Sequence, residues 1–174
     1  ILLAVNRTQA QYATAGTSKK FWSVWKEQDT VFLSQNLEQA VRDREPTQQD
    51  KVLISLFHPT RLLEIMRFFI LFDTNVKKIA RYQQYFAVKA ILETVSQRNS
   101  DGDRHSGVIW HTQGSGKSLT MVMLAKYIEY TFAASNPRVV IVTDRINLDK
   151  QIHSTFNNSG IKSARATTGR NLFE

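Results

Sequence analysis

With 174 residues, of which 42% are hydrophobic and 22% charged, the chain has the composition of a soluble globular protein rather than a disordered or fibrous one. The lack of cysteine excludes disulfide scaffolds and thiolate zinc or iron–sulfur centres, and the longest apolar run, Phe68 to Phe72, is far short of the roughly 20 residues a spanning helix needs. A formal charge of +8 favours polyanionic partners such as nucleotide or nucleic acid, and a basic solvated surface is an equally good account of it.

The chain opens on Ile1 rather than Met, in what reads as a strand already inside a fold, and Asn171 to Glu174 falls where a further helix should begin. A piece of a longer polypeptide is therefore expected. Residues 1 to 5 and roughly 9 to 14 read as two strands about Asn6-Arg7, followed by a flexible stretch at 15 to 18 and an aromatic cluster, Phe21, Trp22 and Trp25. A helix near 34 to 44 should stop before Pro46. Thr47-Gln48-Gln49-Asp50 has the pattern of a capping box opening the next helix, and Pro59 suits the start of another. Phe68 to Phe72 is expected as a strand, with a turn at Asp73-Thr74-Asn75.

Beyond this turn the pattern alternates. Residues 81 to 97 place Tyr85, Val88, Leu92 and Val95 on one helical stripe, Gly107 to Trp110 read as a short apolar strand, and 117 to 132 return to helical spacing. Val139 to Val142, unbroken and β-branched, suits a strand buried on both faces, and Ile146 to Phe156 a final helix. The succession predicts an α/β fold with a parallel sheet.

Between the strand at 107 to 110 and its helix lies Gly114-Ser115-Gly116-Lys117-Ser118. Glycines let backbone amides approach phosphate oxygens, and the helix start adds partial positive charge. Lys117 would reach the β- and γ-phosphates, and the Ser118 hydroxyl would ligate Mg²⁺, so the loop predicts binding of ATP with Mg²⁺. His111 occupies the position where the strict pattern has its first glycine, and reads better as a polar strand end than as a base. His58, His105 and His153 have no partner at ligand spacing, so no other metal site is expected.

The string Trp110 to Met121 resembles the motor motif of the restriction (R) subunit of type I restriction-modification enzymes. Lys78 to Val88 is similar to that family's segment upstream of the loop, and Val142 to Gln151 to the segment after its second strand. Order and spacing agree over residues 56 to 156. Over 1 to 25 the likeness rests on Asn6, Tyr12 and Trp25, with Ala13 where glycine is expected.

The resemblance implies a superfamily 2, RecA-like DNA translocase fused behind an endonuclease domain. Such a protein would act in the cytoplasm on double-stranded DNA, together with methylation and specificity subunits. Residues 1–30 would be the remnant of the nuclease domain, 31–75 connecting helices and strand, and 76–174 the first, incomplete motor lobe. Gln84 would read the adenine edge, with Arg81 nearby, joining Gln113, Gly114, Ser115, Gly116, Lys117 and Ser118 at the nucleotide. Asp144, Arg145 and Gln151 would meet the DNA backbone. An exposed helix residue is the competing reading of Gln84, a helix-start surface charge that of Arg145, and an ordinary mid-helix residue that of Gln151. No apolar strand ending in an acidic pair follows the loop, so this segment is expected to bind nucleotide without turning it over. A P-loop small-molecule kinase and a DNA-binding module with a vestigial loop are the alternatives.

Overall fold

Leu2–Val5 (β1) and Ala10–Ala13 (β2) form an antiparallel hairpin, with Leu2 opposite Ala13. The side chain of Asn6 closes its turn by accepting from the amides of Thr8 at 2.9 Å and Gln9 at 2.8 Å. The computed structural model describes residues 1–166 and 168–170; the helix start expected at 171 to 174 lies outside them.

Thr30–Ala40 (α1) begins earlier than periodicity suggested, because Asp29 caps it by accepting from Phe32 N at 2.9 Å. Gln48–Phe57 (α2) opens on the expected capping box between Thr47 and Asp50. Arg44 grips the same carboxylate at 2.7 and 2.8 Å, and that bond, with those from Thr47, holds Asp50 well below the usual carboxylate range. Pro59–Phe68 (α3) follows directly, with proline in its first turn.

The strand expected at 68 to 72 starts later. Phe68 completes the buried stripe of Arg61 and Ile65 on α3 and stacks on Tyr127 at 4.1 Å, so it stays helical. Ile70–Asp73 (β3) then pairs antiparallel with Val76–Ile79 (β4), a strand the sequence pattern did not reveal. Thr74 and Asn75, at φ 50° and 62°, make the two-residue left-handed turn that matches hairpin twist. Tyr82–Ser96 (α4), Lys117–Thr131 (α5) and Ile146–Asn158 (α6) complete the order.

The parallel sheet does not form among the described residues, where both sheets are two-stranded antiparallel hairpins. Gly107 to Trp110 and Val139 to Val142 form no strand, and Val108, Trp110 and Val142 are about nine-tenths exposed, at 91%, 90% and 89%. Their β-branched character is a preference for a pleated, half-buried surface. A strand needs a neighbour to take its amides and carbonyls, and no described segment pairs with either one in a sheet.

One apolar core joins the N-terminal hairpin to the helices through Tyr12, Trp25, Leu56, Phe69, Tyr85, Val122 and Phe156. The Trp25 ring lies 5.9 Å from Tyr12, 5.3 Å from Tyr85 and 5.7 Å from Phe86. The three segments distinguished in the sequence, 1–30, 31–75 and 76–174, therefore share their interior.

A charged knot ties α3, α4 and α5 together. Glu64 accepts from the hydroxyls of Tyr85 and Tyr127 and from Lys89 Nζ at 2.5 Å. Burial pushes its carboxyl up, but the three donors outweigh burial and leave it below its ordinary value. Burial first, and the adjoining carboxylate second, raise both phenols far above theirs. A depressed carboxyl stabilises the fold above its unfolded pKa and ceases to do so as pH falls through the folded one. The stability advantage of wild type over Glu64→Gln is therefore expected to be full at neutral pH and to shrink below the usual carboxylate range. Urea midpoints measured across that range check it, and a gap independent of pH would refute it.

Candidate nucleotide site

The phosphate-loop sequence forms an open turn at the head of α5. Gly114 and Gly116 take φ of 74° and 84°, left-handed values that a side chain disfavours, and Gly116 is the N-cap of the helix. Ser115 N donates to Thr112 O at 3.3 Å and Thr120 N to Gly116 O at 3.0 Å. Around these two bonds the amides of Gly114, Gly116, Lys117 and Ser118 have no acceptor among the described residues. Ser115 Oγ is buried without a hydrogen-bond partner. Four free amides, an orphaned hydroxyl and the positive end of a 15-residue helix fit an anion with several oxygens.

Lys117 is exposed, and its ammonium donates to the carbonyls of His111 and Thr112, each at 2.7 Å. These two bonds span the loop from its start to the helix, and a phosphate would compete for the same donor. A cavity of about 510 Å³ lies beside Lys117 and Ser118, and Asp144 and Leu148 line its other side. Gln113 is exposed at the rim of the loop.

Gln84 is 5% exposed, at the start of α4. Its Oε1 accepts from Arg81 N at 2.8 Å; its Nε2 donates to Gly116 O at 3.1 Å and lies 3.3 Å from Thr120 Oγ1 and 3.4 Å from Ser115 O. The amide is thus engaged within the protein and clamps the loop to α4. A Cβ at residue 116 would stand 2.7 Å from Gln84 Nε2. Gly116→Ala is accordingly expected to cost about 1–2 kcal/mol in backbone strain and about 1 kcal/mol for each Gln84 bond displaced. Thermal unfolding measures the loss; a variant as stable as wild type would show that the clamp is slack.

Arg81 is exposed just before α4 and borders the cavities on that side of the loop. Asp144, Arg145 and Gln151 do not join this cluster as partners. Arg145 is the N-cap residue of α6, about four-fifths exposed like Asp144, from which it lies 3.8 Å. Such a pair contributes little to stability and leaves both groups open to solvent. Gln151 is exposed on the same helix. The sequence reading missed the wall opposite the loop, Thr14 to Phe21, because a spacing of about a hundred residues carries no local signal. It also missed Glu64, since a lone helical glutamate reads as a surface charge.

No described helix is long and apolar enough to cross a membrane. The family model of the SWI2/SNF2 ATPase matches residues 83–174. Among curated proteins, the chain is 42% identical over 111 residues to the type I restriction enzyme HindI endonuclease subunit of Haemophilus influenzae, covering 60% of this chain and 10% of that protein. It is 34% identical over 132 residues to the putative type I restriction enzyme MjaIXP endonuclease subunit of Methanocaldococcus jannaschii, covering 74% of this chain and 13% of that one. The chain thus spans about a tenth of the length of the curated relatives it matches. No solved structure matches it. Since the family match takes in the phosphate loop together with α5, α6 and nearly all of α4, rather than a run of glycines alone, the chain belongs to the SWI2/SNF2 ATPase family and resembles the R subunits of type I restriction enzymes.

Proposed function

We propose that this chain is the nucleotide-binding part of an ATP-driven DNA translocase that serves a type I restriction enzyme. The observation that carries the reading is the set of unpaired amides at Gly114, Gly116, Lys117 and Ser118, with a lysine and a serine hydroxyl at the same helix start. The amides hold phosphate oxygens, and Lys117 leaves the His111 and Thr112 carbonyls for the β- and γ-phosphates. Ser118 is the residue that would hold Mg²⁺, whose charge, when bound, offsets that of the phosphates. Gln84 acts on the nucleotide through the loop it clamps, and Arg81, free and cationic, faces the nucleotide from the α4 side.

In this reading the exposed Arg145 at the head of α6, with Asp144 and Gln151, meets the backbone of double-stranded DNA. The fold is the first lobe of a RecA-like motor, in which 107–110 and 139–142 become strands of a parallel sheet. The lobe follows a nuclease domain and works with methylation and specificity subunits in the cytoplasm. The test is the ATPase rate of the full-length polypeptide with and without duplex DNA. Stimulation by DNA, lost in Arg145→Ala with ATP affinity retained, is expected; a rate indifferent to DNA would overturn the translocase.

A further inference from the structure

The N-terminal hairpin and the phosphate loop are far apart in sequence, yet a short run of hydrogen bonds joins them through one peptide group. Tyr12, on β2, is 1% exposed, and its hydroxyl donates to Ala80 O at 2.8 Å. Burial holds the phenol far above its ordinary pKa, so the donor keeps its proton. The carbonyl of Ala80 and the amide of Arg81 belong to the same planar peptide unit. Arg81 N, at the other end of that unit, donates to Gln84 Oε1 at 2.8 Å, and Gln84 Nε2 donates in turn to Gly116 O at 3.1 Å. No other hydrogen bond among the described residues reaches this carbonyl or this amide. Tyr12 and Gln84 therefore hold the unit from opposite ends, which fixes its rotation about the chain and lets each bond polarise the next. The hairpin itself is firmly seated. Its Thr14 hydroxyl donates to Lys77 O at 2.6 Å, and the Trp25 ring packs edge-on against Tyr12.

We propose that Tyr12 is a positioning residue for the phosphate site: through the 80–81 peptide it sets the Gln84 amide, and through Gln84 the shape of the loop at 114–118. The assignment rests on the nucleotide-binding reading of the loop and adds to it a residue of the N-terminal hairpin. Tyr12 acts from within the core and serves the ligand through Gln84. Without its hydroxyl, Ala80 O loses its partner and the peptide is held at the Gln84 end alone. Coupling of this kind is reciprocal. A ligand that orders the loop also orders Gln84, the peptide and the hairpin, and a shift of the hairpin changes the affinity of the loop for phosphates.

The experiment compares the affinities of ATP and inorganic tripolyphosphate, each with Mg²⁺, for the full-length protein. Tyr12→Phe keeps the ring packing and removes only the donor. It is expected to weaken both ligands alike, by on the order of fivefold. Gln84→Ala is expected to weaken both by about tenfold. The double variant should bind no more weakly than Gln84→Ala, because the hydroxyl acts through that amide. ATP should also slow hydrogen exchange at residues 10–13 in wild type and leave it unchanged in Gln84→Ala. This second measurement needs no substitution at Tyr12 and decides the question if Tyr12→Phe fails to fold. Wild-type affinity in Tyr12→Phe, additive losses in the double variant, a loss confined to ATP, or exchange at 10–13 indifferent to ATP in wild type overturns the positioning role while leaving the loop intact. Failure of wild type to bind either ATP or tripolyphosphate overturns the loop reading itself.

Discussion

Replacing Lys117 by alanine is expected to remove nucleotide binding while leaving the fold in place. The side chain is exposed, and its only hydrogen bonds among the described residues run to two carbonyls of the loop, so it supports no part of the described core. On binding, the ammonium would trade neutral acceptors for charged phosphate oxygens. Hydrogen bonds involving a charged group contribute about 1.5–3 kcal/mol each. Loss of two such bonds lowers affinity by roughly a hundredfold or more. The thermal midpoint should move by a few degrees at most. Calorimetric titration with ATP and Mg²⁺, beside a melting curve, measures both quantities. Affinity equal to wild type would mean that the open amides of the loop are not the phosphate site.

The largest effect on stability is expected at Arg61. Its guanidinium and the carboxylate of Glu27 form a pair whose side chains are only 8% and 4% exposed. Trp25 Nε1 adds a bond to Glu27 at 2.9 Å, Asp29 N another at 3.0 Å, and the guanidinium stacks over Phe32 at 3.9 Å. This assembly fastens residues 25–32 to α3. Arg61→Met fills much of the same volume but strands the Glu27 carboxylate in the interior, at a cost of about 3–5 kcal/mol. Changing Glu27 to Leu as well removes the stranded charge, and the double variant should recover most of that loss. Urea unfolding of the two single variants and the double closes the cycle. If the double variant were as unstable as the sum of the singles, the two residues would act independently.

The elements legible in the sequence are those whose signals are local. The capping box at Thr47 and Asp50, the proline that opens α3, and the stripe of Tyr85, Val88 and Leu92 each lie within a few turns of the residues they organise, and each forms where expected. The strand at 68 to 72 slipped because apolar content alone does not separate a buried helix end from a strand. Phe68 was decided by Tyr127, 59 positions away. The strand at 76 to 79 escaped notice because its lysines hide the alternation, and its partner across the turn supplies the ladder.

The site divides along the same line. Gly114, Gly116, Lys117 and Ser118 determine by themselves that a positive-φ turn with free amides caps a helix, since those requirements are satisfied within five residues. Tertiary structure alone decided that Gln84 faces the loop, that Glu64 gathers two phenols and an ammonium, and that the hairpin at 2–13 leads into the wall of the cavity next to the loop. Among the described residues Val108 and Val142 also lie open and join neither sheet. The physical reason is common to all of them. A cap, a turn or a helical stripe is closed by bonds between near neighbours, whereas burial of a polar side chain or pairing of a strand depends on a partner brought close only when the whole chain packs.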